Sequence, residues 1–221
     1  MQRKIITTSD GSKTIHIVDW DEQYHSKHGA IQEAYHVFIK SGLSLFKDAN
    51  IAILEIGFGT GLNCLITLLE AQARRLQINY TGVEAYPVTG EELHELNYIS
   101  ELDAALFKNH FLKMHEESWE KKIKITDYFS LLKQQKDFMQ VDNQDAFDLI
   151  YFDAFGARVQ PELWTEIIFL KMFKAMKRNG ILVTYSAKGS VRRAMQAVGF
   201  EVERLPGPPG KREMLRAIKK E

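Results

Sequence analysis

The stretch "IAILEIGFGTGLN", Ile51–Asn63, constrains the fold of this chain more than any other. An apolar run of strand length, interrupted only by Glu55, passes into three glycines at every second position, Gly57, Gly59 and Gly61. A helix is expected to follow, from about Leu62 to Arg74. Glycine tolerates positive φ and lets other groups come close to the backbone, so this is a tight strand–loop–helix junction. A second apolar run, "FDLIYFD" at 147–153, has the composition of a strand covered on both faces. Further strands are expected in "INYTGVE", "KIKIT", "ILVTYS", "FEVERL" and "REMLRAI". Helices are expected between Thr89 and Met114, through Phe129–Leu132, from Pro161 to near Asn179-Gly180, and over Val191–Val198. Such alternation implies an α/β fold with a mostly parallel seven-stranded sheet, closed at one edge by an antiparallel C-terminal hairpin.

Residues 1–50 read as an extension on a 51–221 Rossmann-like core, the whole forming one domain. "RKIIT" and "TIHIVDW" flank a turn at Ser9–Ser12, and a helical stripe runs through Ile31, Tyr35, Phe38 and Ile39. No apolar segment reaches membrane-spanning length. The single cysteine, Cys64, excludes a disulfide framework and a four-cysteine zinc site and fits a reducing cytoplasm. It is expected to be a small buried hydrophobe. The seven histidines lack tight ligand spacing, so no metal is expected. Formal net charge is zero, yet residues 171–221 hold 13 Lys+Arg against 4 Asp+Glu, and the remainder hold 16 against 25. A polyanion-facing surface and ordinary solvated helix faces both account for that asymmetry.

The glycine spacing narrows the ligand. A dinucleotide fingerprint needs a third glycine where Leu62 stands, and no "GK[ST]" supplies a phosphate-binding lysine. A G-x-G-x-G loop that offers backbone amides to a small zwitterion suits the methionine part of S-adenosylmethionine. Ligands of open α/β sheets sit at the carboxyl ends of the strands near the switch in strand order. That rule selects Gly57–Gly61, Glu84, Asp127, Asp153 and Tyr185–Ser186. Glu84 is placed to accept two ribose hydroxyls, and Asp127 either takes the adenine amino group or is a surface acid. Asp153 is placed to hold an attacking amine and accept its proton. Phe155 and Trp164 either stack on a base or belong to the core.

These motifs resemble the methyltransferase half of the MnmC family, bacterial enzymes that complete 5-methylaminomethyl-2-thiouridine at the tRNA wobble position. The resemblance rests on "YHSKHGAIQEAYHVFI", "GFGTGLN", Glu84, "DAF…PELW", "TYSAKGSVRRAMQAVGF" and "GKREML", and so extends along most of the chain. It implies a class I S-adenosylmethionine-dependent methyltransferase acting on the primary amine of 5-aminomethyl-(2-thio)uridine in tRNA. By position it places Glu55, Gly57, Phe58, Gly59, Gly61 and Asn63 at the methionine moiety, Glu84 at the ribose and Asp127 at the adenine. Asp153 and Phe155 face the acceptor. Tyr24, Ser26, Glu33, Trp164 and Tyr185 line the cofactor lid or acceptor entrance, and Arg192, Arg193, Lys211 and Arg212 are candidates for phosphate contacts.

Two departures accompany the resemblance. "GARVQ" after Phe155 lacks the proline usual just past the family's D-x-F, so a modified acceptor pocket is expected. The flavin-dependent oxidase that follows in bifunctional members is not expected within a chain ending at Glu221, so the aminomethyl precursor is expected from a separate enzyme. Other acceptors, such as a small amine or a protein, and a non-catalytic RNA-binding scaffold are the competing readings. A NAD-linked oxidoreductase is disfavoured by the misplaced glycine.

Overall fold

The computed structural model describes residues 2–220. Strands β1 (Arg3–Thr7), β2 (Lys13–Ile17) and β3 (Glu22–Gln23) form a small antiparallel sheet. Helix α1 (Ala30–Ala34) continues as a wide-turned π segment over Tyr35–Lys40. The core then runs β4 (Asn50–Ile56), α2 (Leu62–Ala73), β5 (Gln77–Glu84), α3 (Gly90–Glu95), α4 (Tyr98–Glu101), α5 (Lys108–Glu116), β6 (Lys122–Thr126), β7 (Phe129–Gln135) and β8 (Phe147–Phe152). It ends with α6 (Glu166–Ala175), β9 (Met176–Thr184), α7 (Gly189–Ala197), β10 (Glu201–Pro206) and β11 (Glu213–Ile218). Among the described residues no helix is long and apolar enough to cross a membrane.

The sheet order is β10-β11-β9-β8-β4-β5-β7-β6, with β9, β8, β4, β5 and β7 parallel and both ends antiparallel. It has eight strands because Phe129–Gln135, where a helix through Phe129–Leu132 is expected, is a strand paired with β5 from Ile78↔Phe129 to Glu84↔Gln135. "KIKIT" is therefore the outer antiparallel edge. The helix after Pro161 also differs from expectation. A short 3₁₀ turn covers Pro161–Trp164, α6 stops at Ala175, and β9 starts at Met176 with a register shift before Ile181.

Strand pleating divides the core in two. Ile51, Ile53, Leu149 and Tyr151 pack with Phe38, Leu65, Leu68 and Met114 on one face. Leu54, Ile56, Ile150 and Phe152 meet Ile168, Phe169, Met172 and Met195 on the other. Both faces of the central strands are thus dry, as parallel strands require. Cys64 lies fully buried in α2, and burial pushes its thiol well above the ordinary range.

The glycine junction is shaped by protein packing. Gly57 (φ +90°) lies so close to β8 that a Cβ would stand 2.6 Å from the Asp153 carbonyl oxygen. A Cβ on Gly61 (φ +72°) would stand 2.8 Å from His115 Nε2. We expect Gly57→Ala to cost about 2–4 kcal/mol, combining left-handed backbone strain with steric displacement. Gly90→Ala, with open space around the new methyl, is expected to change stability by less than about 1 kcal/mol. Urea denaturation midpoints of the two variants test the contrast; equal midpoints would overturn it.

Candidate active site

Strand order reverses between β4 and β8, and a cleft of about 480 Å³ opens over their carboxyl ends. Its floor is Gly57–Gly59, Asn63, Glu84 and Asp153–Gly156, and the N-terminal segment Trp20–His28 forms one wall. The loop after β7 contributes Asp137, Phe138 and Met139, and the β10–β11 turn contributes Gly210 and Lys211. This volume lies within the range of small-molecule and cofactor sites.

The loop amides are already engaged inside the protein. Gly57 and Phe58 both donate to the Val83 carbonyl at 3.0 Å, and Gly61 donates to Phe58 O at 2.9 Å. Gly59 N–H donates to Glu84 Oε2 at 3.0 Å, and Tyr86 N–H donates to Glu84 Oε1 at 2.9 Å. The expectation of amides held out for a zwitterion is therefore corrected for these four residues. Their glycines permit close packing instead: a Cβ on Gly59 would meet the Tyr24 ring at 3.0 Å. Glu84 is fixed in position by its two amide donors, and a carboxylate still has lone pairs for two more.

Asn63 ties the centre together. Its Nδ2 donates to Glu55 Oε1 at 2.8 Å and to Asp153 Oδ2 at 2.9 Å. Its Oδ1 is buried without a hydrogen-bond partner among the described residues. Buried acceptors are nearly always satisfied, so this atom is suited to a donor brought by a ligand. Glu55 itself does not line the cleft. It lies behind Asn63, accepts a 2.8 Å hydrogen bond from Tyr80 Oη, and is held well above the ordinary carboxyl range by burial.

Asp153 lines the cleft directly after β8. Burial, and then the Glu33 charge, lift its pKa to about 7, against the lowering effects of Asn63 and Lys211. Glu33 of α1 accepts from Ser26 N–H through Oε2 at 2.9 Å and pairs through Oε1 with Lys211 Nζ at 2.5 Å. That Nζ also sits 3.9 Å from the Tyr185 ring centroid, and Tyr185 Oη donates to Ala154 O at 2.8 Å. Phe155 meets Tyr24 and Trp20 edge to face at 5.0 and 5.6 Å. Arg158 braces this arch, donating to the Trp20 and Asp21 carbonyls and pairing with Glu22. Edge-to-face ring pairs contribute about 0.5–1.5 kcal/mol each beyond area burial, and an exposed ion pair at most about 1. The rings, more than the Arg158–Glu22 pair, hold the arch.

The structure moves several expected residues away from the cleft. Asp127 is corrected: it sits in the β6–β7 turn, at the opposite end of the sheet from Glu84, exposed and paired with Lys124. Asp137, just past β7, takes the place expected of it and was missed because β7 was read as helix. Trp164 is buried, donates from Nε1 to Phe155 O at 2.7 Å and supports the floor from below. Trp20, missed in the sequence, presents the ring at the cleft instead. Gly61 faces His115, outside the cleft. Tyr24, Ser26, Glu33, Phe58, Tyr185 and Lys211 all line it. Arg193 on α7 and Arg212 in the β10–β11 turn are exposed, and Arg192 is half-buried.

A family model described as S-adenosyl-L-methionine-dependent methyltransferase matches residues 91–220. The tRNA 5-methylaminomethyl-2-thiouridine biosynthesis bifunctional protein MnmC of Hydrogenovibrio crunogenus is 30% identical over 214 residues, covering 88% of this chain and 31% of that protein. Its counterpart in Cupriavidus metallidurans is 30% identical over 230 residues, covering 95% and 33%. The chain thus spans about a third of the length of these curated relatives. The crystal structure of MNMC2 from Aquifex aeolicus superposes with a TM-score of 0.75 at 27% identity, covering 98% of this chain and 70% of that one. Spermidine synthase from Thermotoga maritima, 12% identical with a TM-score of 0.55, shares the fold. The chain belongs to the S-adenosyl-L-methionine-dependent methyltransferase family.

Proposed function

We propose that this protein is a cytoplasmic tRNA methyltransferase acting on the primary amine of 5-aminomethyl-(2-thio)uridine. The observation that carries the reading is Asp153, a carboxylate at the reacting end of the cleft, fixed by Asn63 and flanked by the aromatic arch. Similarity to proteins named for tRNA 5-methylaminomethyl-2-thiouridine biosynthesis supports this choice of acceptor. The residues fit the cofactor. Asn63 Oδ1 would accept from its ammonium, Glu84 would accept its ribose hydroxyls, and Asp137 would take the adenine amino group. S-adenosylmethionine, when bound, supplies an electrophilic methyl group on a sulfonium.

The protein's own task is to present a neutral amine in line. An alkylamine with a pKa near ~10 is about one part in a thousand neutral at pH 7. Asp153, with its pKa near 7, is available as a proton acceptor close to neutrality and orients the nitrogen while doing so. The arch of Trp20, Tyr24 and Phe155 excludes water and gives a planar base a surface to stack on.

Incubating the protein with labelled S-adenosylmethionine and tRNA carrying 5-aminomethyl-2-thiouridine, then analysing digested nucleosides, tests the acceptor. Label is expected in 5-methylaminomethyl-2-thiouridine. Cofactor binding without label there would overturn the assignment. Asp153→Asn is expected to lower the transfer rate about 10²–10⁴-fold.

The pH profile follows from the same group. Activity requires ionised Asp153, so the rate is expected to rise with pH through about 7. Asn63 stabilises the ionised form, so its loss raises the Asp153 pKa, and Asn63→Ala is expected to move this limb to higher pH. An unmoved limb would remove Asp153 as the titrating group. For the cofactor, Asp137→Ala is expected to weaken binding roughly tenfold, the worth of about one hydrogen bond to a charged group. Asp127→Ala is expected to leave it unchanged, and calorimetric titration distinguishes the two.

A further inference from the structure

The ammonium of Lys211 has the chemistry of the acceptor this cleft is proposed to methylate. Resting on that reading, we propose that Glu33 and the Tyr185 ring form a subsite for a primary alkylammonium, and that Lys211 occupies it until substrate displaces it. Both walls are held independently of Lys211. Glu33 is 8% exposed, and its Oε2 is anchored by Ser26 N–H, which leaves Oε1 for a cation. Tyr185 is locked by its hydroxyl, which donates to Ala154 O next to Asp153. A buried carboxylate and an aromatic face, both fixed in advance, are the two elements that recognise an alkylammonium.

The occupant is carried on a flexible four-carbon stem. Lys211 follows Pro208, Pro209 and Gly210 in the β10–β11 turn, and its four-carbon stem can retract without disturbing either wall. Its Nζ lies 2.5 Å from Glu33 Oε1 and 3.9 Å from the ring centroid. Glu33, Tyr185, Lys211 and Asp153 all line one cleft, so a substrate aminomethyl group placed on Glu33 and Tyr185 is also brought towards Asp153. Withdrawal of Lys211 leaves Glu33 uncompensated, so exchange of one ammonium for another conserves the charge balance. An internal competitor lowers apparent affinity by the fraction of molecules in which it holds the site. This role differs from a phosphate contact, and the two give opposite signs on mutation.

The test uses Lys211→Ala and the double variant Lys211→Ala/Glu33→Gln alongside the unaltered protein. Methylammonium chloride at constant ionic strength is expected to raise the unfolding midpoint of Lys211→Ala more than that of the unaltered protein, and not to raise that of the double variant. Lys211→Ala is also expected to lower KM for aminomethyl-bearing tRNA by about 3–10-fold, the removal of one competing internal group. Its affinity for tRNA lacking the amine should not change. No response of Lys211→Ala to methylammonium would overturn the subsite. So would a KM that rises together with a loss of affinity for unmodified tRNA, which is the signature of a phosphate contact. The methylammonium arm needs no catalysis. A positive result there, with no transfer to aminomethyl-bearing tRNA by the unaltered protein, would support the subsite and sink the tRNA acceptor instead.

Discussion

One side-chain amide, that of Asn63, connects the fold to its chemistry. Its two N–H groups reach carboxyls from adjacent parallel strands, Glu55 on β4 and Asp153 just beyond β8. Those strands flank the reversal in strand order. Two carboxylates ionised together beside one neutral amide would repel in a poorly solvated interior. The structure resolves the conflict by holding Glu55 high through burial, beneath Tyr80, and leaving Asp153 to titrate near neutrality at the cleft. Two acids of similar sequence appearance thereby take different roles. The distinction requires Gly57, because only a residue without a Cβ allows the loop to cross the Asp153 backbone closely enough to set Asn63 between them.

Two extensions complete the cleft, and each is tied across it. Arg158, from the loop after β8, holds the Trp20–Glu22 segment against Phe155. Lys211, from the C-terminal hairpin, reaches Glu33 on α1, and His36 hydrogen-bonds with the Pro206 carbonyl beside it. The first tie is aromatic and stiff. The second includes a half-buried ion pair, Lys211–Glu33, which a competing cation can open while the His36 hydrogen bond stays in place. The cleft is therefore rigid where the cofactor and base would stack and adaptable where an amine would enter.

The sheet's centre was legible because its strands carry the plainest patterns. "IAILEI" and "FDLIYF" are dry on both faces and read as such, and Glu84 and Asp153 fell at their expected strand ends. The failure at β7 has a specific cause. "FSLLKQQ" alternates inward and outward, but its third inward position is Lys133, so the apolar alternation that marks a strand is not carried along the segment. Lys133 can be buried there because its Nζ donates to His115 O at the end of α5, 2.9 Å away, and lies 5.0 Å from the Trp119 ring centroid. Burial lowers its pKa to about 8. That compensation comes entirely from another element and cannot be read locally. Misreading the strand displaced the acid expected at this strand's carboxyl end from Asp137, which lines the cleft, to Asp127, at the wrong end of the sheet.

The charge asymmetry has a similar resolution. The basic excess beyond residue 170 looked available to a polyanion, yet much of it is used within the protein. Lys177 pairs with Asp148, Lys219 with Asp145, Lys211 with Glu33 and Arg216 with Glu203. Three of these four cations cross to acids in the first 170 residues, so part of the imbalance along the chain is neutralised in space. Among the described residues beyond 170, Lys174, Arg178, Lys188, Arg193 and Arg212 are exposed and in no ion pair within 4.0 Å. Each such cation that meets a phosphate contributes about 0.7–0.9 to the salt slope of binding and positions the nucleic acid without reading its sequence. Under the proposed function, discrimination between RNA acceptors falls to the cleft, where a planar base can stack on the arch and its amine can be tested against Glu33, Tyr185 and Asp153.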